Sequence, residues 1–168
     1  MPVLIFSKDL EAYGDGIADT WKQVGTIEED GSFVSRAKTP PYLDLTTNRI
    51  VGLVSMTVLE DKSCDGCYNP DEFHKPILQK MGVVFSDEKR IDISSPEGQS
   101  LIEEYGIEKV PTILLEGDVE EYPVLTKAWA QVGTVEADGT YVFREVGVTQ
   151  SKYKDLNTGK VVAPTISG

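Results

Sequence analysis

The sequence predicts an α/β protein with room for one domain and part of a second. Two observations carry this prediction: β-branched apolar runs alternate with segments that have clear helix caps, and one unit of the chain occurs twice. Of the 168 residues, 40% are apolar, which is enough to form a buried core. The formal net charge of −12 gives an acidic surface that repels phosphate backbones, so we expect no nucleic-acid partner.

An internal repeat organises the chain. The segment 21–36, "WKQVGTIEEDGSFVSR", returns at 129–144 as "WAQVGTVEADGTYVFR". The alignment extends upstream and, after three extra residues in the second copy, downstream: 2–13 pairs with 111–122, and 42–51 pairs with 153–162. Roughly eighteen of about fifty aligned positions are identical, which is too many for chance. Each copy predicts a strand, a helix ending near the tryptophan, a hairpin with an Asp-Gly turn, and a second, weaker hairpin.

The unique segment between the two copies predicts alternating strands and helices. Asn69 is a good N-cap and Pro70 suits the first position of a helix that Gly82 ends. Ser95 opens a second helix, which closes on Gly106. The predicted elements are a strand at 50–60, a helix at 69–82, a strand at 83–93, a helix at 95–106 and a strand at 110–115.

Both cysteines of the chain lie in "SCDGCYNP", residues 63–70, as Cys64 and Cys67. Two intervening residues allow a small, reversible disulfide ring, which is what dithiol exchange requires. A permanent disulfide in an exported protein and a partial metal site are the alternatives. A zinc site usually needs four ligands, whereas the cysteines and His74 supply three unless Asp71 or another chain contributes, so we expect no metal.

The order strand, Cys-x-x-Cys, helix, strand, helix, strand, together with "CDGC" and "YGIEKVPTILL", resembles the thioredoxin superfamily. The resemblance covers about 51–115 and extends more loosely to about 162. It implies a thioredoxin-like central mixed sheet flanked by helices, with the repeated helix–hairpin units at both ends. It also implies that Pro111 is a cis proline facing the cysteines. The chain departs from the family pattern in having Ser63 before Cys64 and Asp-Gly between the cysteines.

The resemblance implies a thiol–disulfide oxidoreductase that acts on protein thiols and disulfides without a cofactor. Cys64 would be the nucleophile and Cys67 the resolving thiol. Val110 and Pro111 would shape the substrate groove, with the Val110 main chain open for strand pairing. Asp65 disfavours a thiolate on its neighbour, which predicts a more reducing or a structural couple. The alternative is a non-catalytic thioredoxin-fold module with a structural disulfide.

Two units are expected: a half-module at 1–49 and a thioredoxin-like domain at 50–168. By the repeat, Pro2 is the counterpart of Pro111, so the half-module resembles the back half of a module without its cysteine half. We therefore expect either a piece of a longer tandem protein or a protein that uses the extra half as a lid or partner surface. The uncovered surface predicts strand exchange or a homodimer through the half-module.

No apolar run in the sequence reaches the length of a membrane span. The chain as given is therefore expected to be soluble, with no membrane span of its own. An exported or membrane-tethered parent protein is the accompanying hypothesis on location. Two cysteines in one motif fit an oxidising and a reducing compartment equally well.

Overall fold

A computed structural model describes residues 4–36 and 39–164 and confirms a mixed α/β protein. Pro2, the proposed counterpart of Pro111, lies outside these residues. The elements are β1 (Ile5–Phe6), α1 (Ile17–Trp21), β2 (Gly25–Ile27), β3 (Phe33–Ser35), β4 (Tyr42–Asp44), β5 (Arg49–Val51), β6 (Leu53–Glu60), α2 (Pro70–Lys80), β7 (Val84–Asp92), α3 (Pro96–Tyr105), β8 (Lys109–Val110), β9 (Thr112–Gly117), α4 (Pro123–Trp129), β10 (Gly133–Val135), β11 (Tyr141–Phe143), β12 (Tyr153–Asp155) and β13 (Lys160–Val162). Short 3-10 helices span Lys8–Tyr13, Val119–Glu121 and Val146–Thr149.

The central sheet has the strand order β10-β11-β9-β6-β7. Strands β6 and β7 are parallel, and the other neighbouring pairs are antiparallel. Side chains of β6 alternate between two apolar layers, as a strand buried on both faces requires. Met56 packs with Leu78 of α2 and Leu125 of α4, whereas Leu59 packs on the opposite face with Leu114 and side chains of α3. The sheet therefore lies between helices on its two faces.

The two helices of the unique segment begin where their caps predict. The Asn69 side chain accepts a hydrogen bond from the Asp71 N–H at 3.2 Å, and α2 starts at Pro70. The Ser95 hydroxyl accepts from the Gly98 N–H at 3.0 Å, and α3 starts on the next residue. Gly106 ends α3 in the left-handed conformation. These local caps confirm both predicted helices.

Two predicted strands are interrupted. The strand predicted at 50–60 breaks at Gly52, whose φ is +94° and whose N–H donates to the Asp118 carboxylate at 2.9 Å. The strand predicted at 110–115 breaks at Pro111, where the Val110–Pro111 peptide bond is cis. Because proline has no N–H to contribute to a ladder, β8 and β9 join different sheets on either side of it.

Aligned residues of the two repeat copies make matching local contacts. Trp21 Nε1 donates to the Thr26 carbonyl at 3.2 Å, and Trp129 Nε1 donates to the Thr134 carbonyl at the same distance. Each tryptophan therefore braces the Asp-Gly hairpin that follows its helix. The surroundings differ, because Trp129 is buried in the core whereas Trp21 is only half-buried.

Candidate functional site: a disulfide turn at the end of strand β6

The predicted cysteine pair forms a disulfide in the turn between β6 and α2. Cys64 and Cys67 have Cα atoms 5.7 Å apart, and both residues are half-buried. The Cys64 N–H donates to the Asp61 carbonyl at 3.0 Å, which closes the first part of the turn. Since the N-cap of α2 is Asn69, both cysteines precede the helix, as the sequence indicated. The disulfide thus sits at the surface, at the carboxyl end of a central strand.

A partly buried ion pair supports the start of this turn. Asp61 accepts hydrogen bonds from the Ser63 N–H at 2.8 Å and the Ser63 hydroxyl at 2.6 Å, and its other oxygen pairs with the Lys154 ammonium. Burial opposes ionisation of the Asp61 carboxyl, but the hydrogen bonds from Lys154 and Ser63 outweigh it and lower its pKa. Asp61 is therefore charged at neutral pH and fixes the turn to β12.

The other end of the turn is held by Tyr68. Its hydroxyl donates to the Pro111 carbonyl at 2.9 Å and lies 3.0 Å from Nε2 of His74. Since the hydroxyl has a single proton, Nε2–H of His74 donates to the Tyr68 oxygen. Burial raises the pKa of Tyr68 and lowers that of His74 to about 4, so both are neutral at pH 7. This network joins the residue after Cys67 to the proline corner.

His74 is 5% exposed on α2, and its ring lies 4.5 Å from the ring of Phe143. A buried, neutral, hydrogen-bonded histidine is a core residue of this helix. In the parts of the chain that the structure describes, no three His, Cys, Asp or Glu side chains are grouped closely enough to hold a metal ion.

Another strand of the same chain lies in the predicted substrate groove. Val110 and Pro111 are buried, and the main chain of Val110 pairs with Lys154 of β12 in an antiparallel register. The sequence predicted that this main chain is open for a substrate strand. In this structure it is not open, because the hairpin β12–β13 folds back onto β8. The same segment also reaches the cysteines, since Cys67 forms a β-bridge with Lys152.

The residues missed by the sequence prediction come mainly from this hairpin. Lys152 accepts a hydrogen bond on its carbonyl from the Tyr68 N–H at 3.0 Å. Its ammonium lies beside Gly66, where an added Cβ would be 3.4 Å from Lys152 Nζ. One sequence signal was available, because the three extra residues of the second repeat copy fall just before Tyr153. They lengthen the connection that carries Lys152 to the cysteine turn.

The site therefore combines a disulfide, a lysine ammonium next to Gly66 between the two cysteines, and the Asp61–Lys154 ion pair at the start of the turn. A nearby cation stabilises a cysteine thiolate, so this arrangement suits thiol–disulfide exchange. Comparison of the chain with protein-family models, curated proteins and solved structures gives no match. Among the helices within 4–36 and 39–164, none is long and apolar enough to cross a membrane.

Proposed function

We propose that this chain is a thioredoxin-like thiol–disulfide oxidoreductase that exchanges the Cys64–Cys67 disulfide with protein thiols. The observation that carries the proposal is the disulfide between two half-exposed cysteines at the carboxyl end of β6. The order of β6, cysteine turn, α2, parallel strand β7, α3 and β9 supports it. Ligand and active sites of open α/β sheets characteristically lie at the carboxyl ends of strands.

The oxidised pair reacts with a substrate dithiol in two steps. A substrate thiolate attacks Sγ of Cys64, a mixed disulfide forms, and the sulfur of Cys67 leaves as a thiolate that takes up a proton. The second substrate thiolate then attacks the substrate sulfur of the mixed disulfide, and Cys64 leaves. The substrate loses two electrons and two protons, and the cysteine pair gains them. In the reverse direction Cys64 attacks a substrate disulfide and Cys67 resolves the intermediate.

The surroundings of the cysteines indicate how reducing the dithiol–disulfide couple is. Lys152 favours a thiolate in the turn, whereas exposed Asp65, next to Cys64, opposes it. Helix α2 begins three residues after Cys67, so its dipole acts on the thiols from a distance greater than one capping position. We therefore expect a moderately reducing couple instead of a strong oxidant.

One observation favours a second candidate function, a non-catalytic module with a structural disulfide. The pairing of Lys154 with Val110 already uses the edge that a substrate strand would take. In this alternative the disulfide closes a loop of about four residues and stabilises the fold by roughly 2 kcal/mol on a chain-entropy estimate. The hairpin β12–β13 is then a permanent part of the fold.

A redox titration separates the two candidates. The chain has two cysteines, so alkylation and mass measurement after equilibration in thiol buffers count one disulfide without ambiguity. An oxidoreductase is expected to titrate between about −120 and −270 mV, whereas a value below about −300 mV would favour the structural disulfide. In parallel, Cys64→Ser should abolish insulin reduction, and Cys67→Ser should accumulate a mixed disulfide with the substrate. Insulin reduction by Cys64→Ser at the wild-type rate would refute the assignment of Cys64.

A further inference from the structure

In the described part of the first repeat copy, one edge of strand β1 has no neighbouring strand. Its sheet has the order β1-β3-β2, so within the described ranges β1 pairs with β3 alone. The Ser35 N–H donates to the Leu4 carbonyl at 2.8 Å. Because hydrogen-bonded and non-hydrogen-bonded pairs alternate in an antiparallel ladder, Ile5 directs its N–H and C=O away from β3. This main-chain donor and acceptor are available to a further strand.

The aligned strand of the second copy has that further strand. Ile5 aligns with Leu114, and their sheet partners also align, because Ile5 pairs with Val34 and Leu114 pairs with Val142. Strand β9, however, has β6 on its other edge, with Leu114 opposite Thr57. The second copy thus shows which element pairs with the equivalent edge of β9 and in which register.

The apolar side chains of the first copy are exposed where their counterparts are buried. Leu4, Ile5, Phe6 and Tyr13 are 55%, 67%, 40% and 85% exposed. The aligned Ile113, Leu114, Leu115 and Tyr122 are 0%, 2%, 0% and 3% exposed. In the second copy, side chains of α2 lie over one face of β9, and side chains of α3 lie over the other. In the described residues of the first copy, neither the edge strand nor the two covering helices have a counterpart.

The tyrosines add a polar contact to this comparison. The Tyr122 hydroxyl donates to the carbonyl of Gly52, next to the start of β6, and accepts from the Val84 N–H at 3.3 Å. Tyr122 therefore ties the back half of the module to the first residues of β6 and β7. Tyr13 occupies the aligned position and is the most exposed of the four apolar side chains compared. It is placed to make the same two hydrogen bonds to an incoming main chain.

We propose that the open edge of β1 binds a strand–helix–strand–helix segment of the type formed by residues 50–109, through an antiparallel strand equivalent to β6. The residue equivalent to Thr57 would lie opposite Ile5, and the two helices would cover Leu4 and Phe6 on one face and Ile5 on the other. Such a segment supplies the edge strand and the two helices that cover the faces of β1, whereas an isolated extended peptide supplies only a strand.

A second copy of this chain is a poorer occupant. Its own β6 is already paired on both edges, with β7 and β9, so it offers no free strand of this type. Pairing of two β1 edges would join strands of two residues each and would leave the faces uncovered. The net charge of −12 also opposes self-association. The surface therefore fits a partner that carries a free β6-type strand.

The test supplies the proposed segment to the full chain. Residues 50–109 are placed ahead of residue 1, which reproduces the order in which they precede β9. Amide hydrogen exchange of Ile5, compared with the unmodified chain, is expected to slow by about 10-fold or more. The matched control carries Thr57→Pro in the added copy alone, because proline removes the ladder donor opposite Ile5. The control should exchange as fast as the unmodified chain.

Three outcomes would overturn the proposal: unchanged exchange of Ile5 in the extended chain, equal slowing in the proline control, or a dimer of the unmodified chain that Ile5→Lys abolishes. The last is measured by sedimentation, and its loss in Ile5→Lys would assign the edge to a second copy. None of these readouts uses the cysteines, so failure here leaves the redox proposal intact, and the converse also holds.

Discussion

Lowering the pH from 7 to 5 should destabilise this protein through His74. The imidazole is 5% exposed, and burial lowers its pKa from 6.5 to about 4. An unfolded chain takes up a proton on His74 near pH 6.5, whereas the folded chain does not until about pH 4. Stability from the neutral histidine is therefore fully present above pH 6.5 and falls as the pH decreases from 6.5 towards 4.

The size of the effect follows from the pKa. Each pH unit between the two values costs about 1.4 kcal/mol, so the unfolding free energy should fall by about 2 kcal/mol between pH 6.5 and 5 and by roughly 3 kcal/mol by pH 4. His74 is the single histidine of the chain. The resolved carboxyl shifts are downward, as for Asp61 and Asp92, so the stability that these two carboxylates contribute is lost only as the pH falls towards and below their ordinary pKa of 3.8. The window from pH 7 to 5 thus isolates the histidine.

Urea unfolding at pH 7, 6 and 5, followed by tryptophan fluorescence, measures this dependence. The control is His74→Gln, which keeps an N–H donor for the Tyr68 hydroxyl but does not titrate. Its unfolding free energy should be nearly constant over the same range, even if it is lower than that of the wild type at pH 7. A flat profile for the wild type, or an equal loss in His74→Gln, would refute the assignment of a buried neutral imidazole.

Two other substitutions test the supports of the cysteine turn, each by urea unfolding at pH 7. Tyr68→Phe removes the shared hydroxyl and leaves the Pro111 carbonyl without its donor, so the free energy of unfolding should fall by about 1–3 kcal/mol. Tyr13→Phe, at an exposed tyrosine, should change it little, and equal effects would contradict the network. Lys154→Met leaves the 7%-exposed Asp61 carboxylate without its cation, so we expect a loss of about 2 kcal/mol at pH 7. In a series at lower pH this loss should shrink as Asp61 becomes protonated, whereas Lys160→Met, on the same hairpin, is the control; a pH-independent loss would argue against the ion pair.

The features that the sequence predicted correctly are those decided by neighbouring residues. Asn69 and Ser95 cap helices whose first N–H groups lie two or three residues away, and their effect does not depend on the rest of the fold. The cysteine pair is similar, because two residues separate its members. The Asp-Gly hairpins also form in both copies, although the surroundings of the copies differ.

The features that the sequence did not predict depend on distant partners. The break at Gly52 is held by Asp118, 66 residues away, while the apolar run around it favours a continuous strand. The closure of the Val110 edge requires β12, which lies more than forty residues further along the chain. Hydrophobic periodicity indicates which residues are buried, but it does not indicate which strand pairs with which. The pairing of β12 with Val110 was therefore not predictable from the sequence.

Strand β12 lies where a substrate strand of the proposed oxidoreductase would pair with Val110. It belongs to the three-stranded sheet β13-β12-β8 and not to the central sheet. Moving it away would break two residue pairs with β8, the Asp61–Lys154 ion pair and the packing of Tyr153 against the core, while the pairing of β6 with β7 and β9 would stay intact. In the proposed oxidoreductase, access to the Val110 edge therefore requires local opening of this hairpin, and the strand pairing of the central sheet does not have to change.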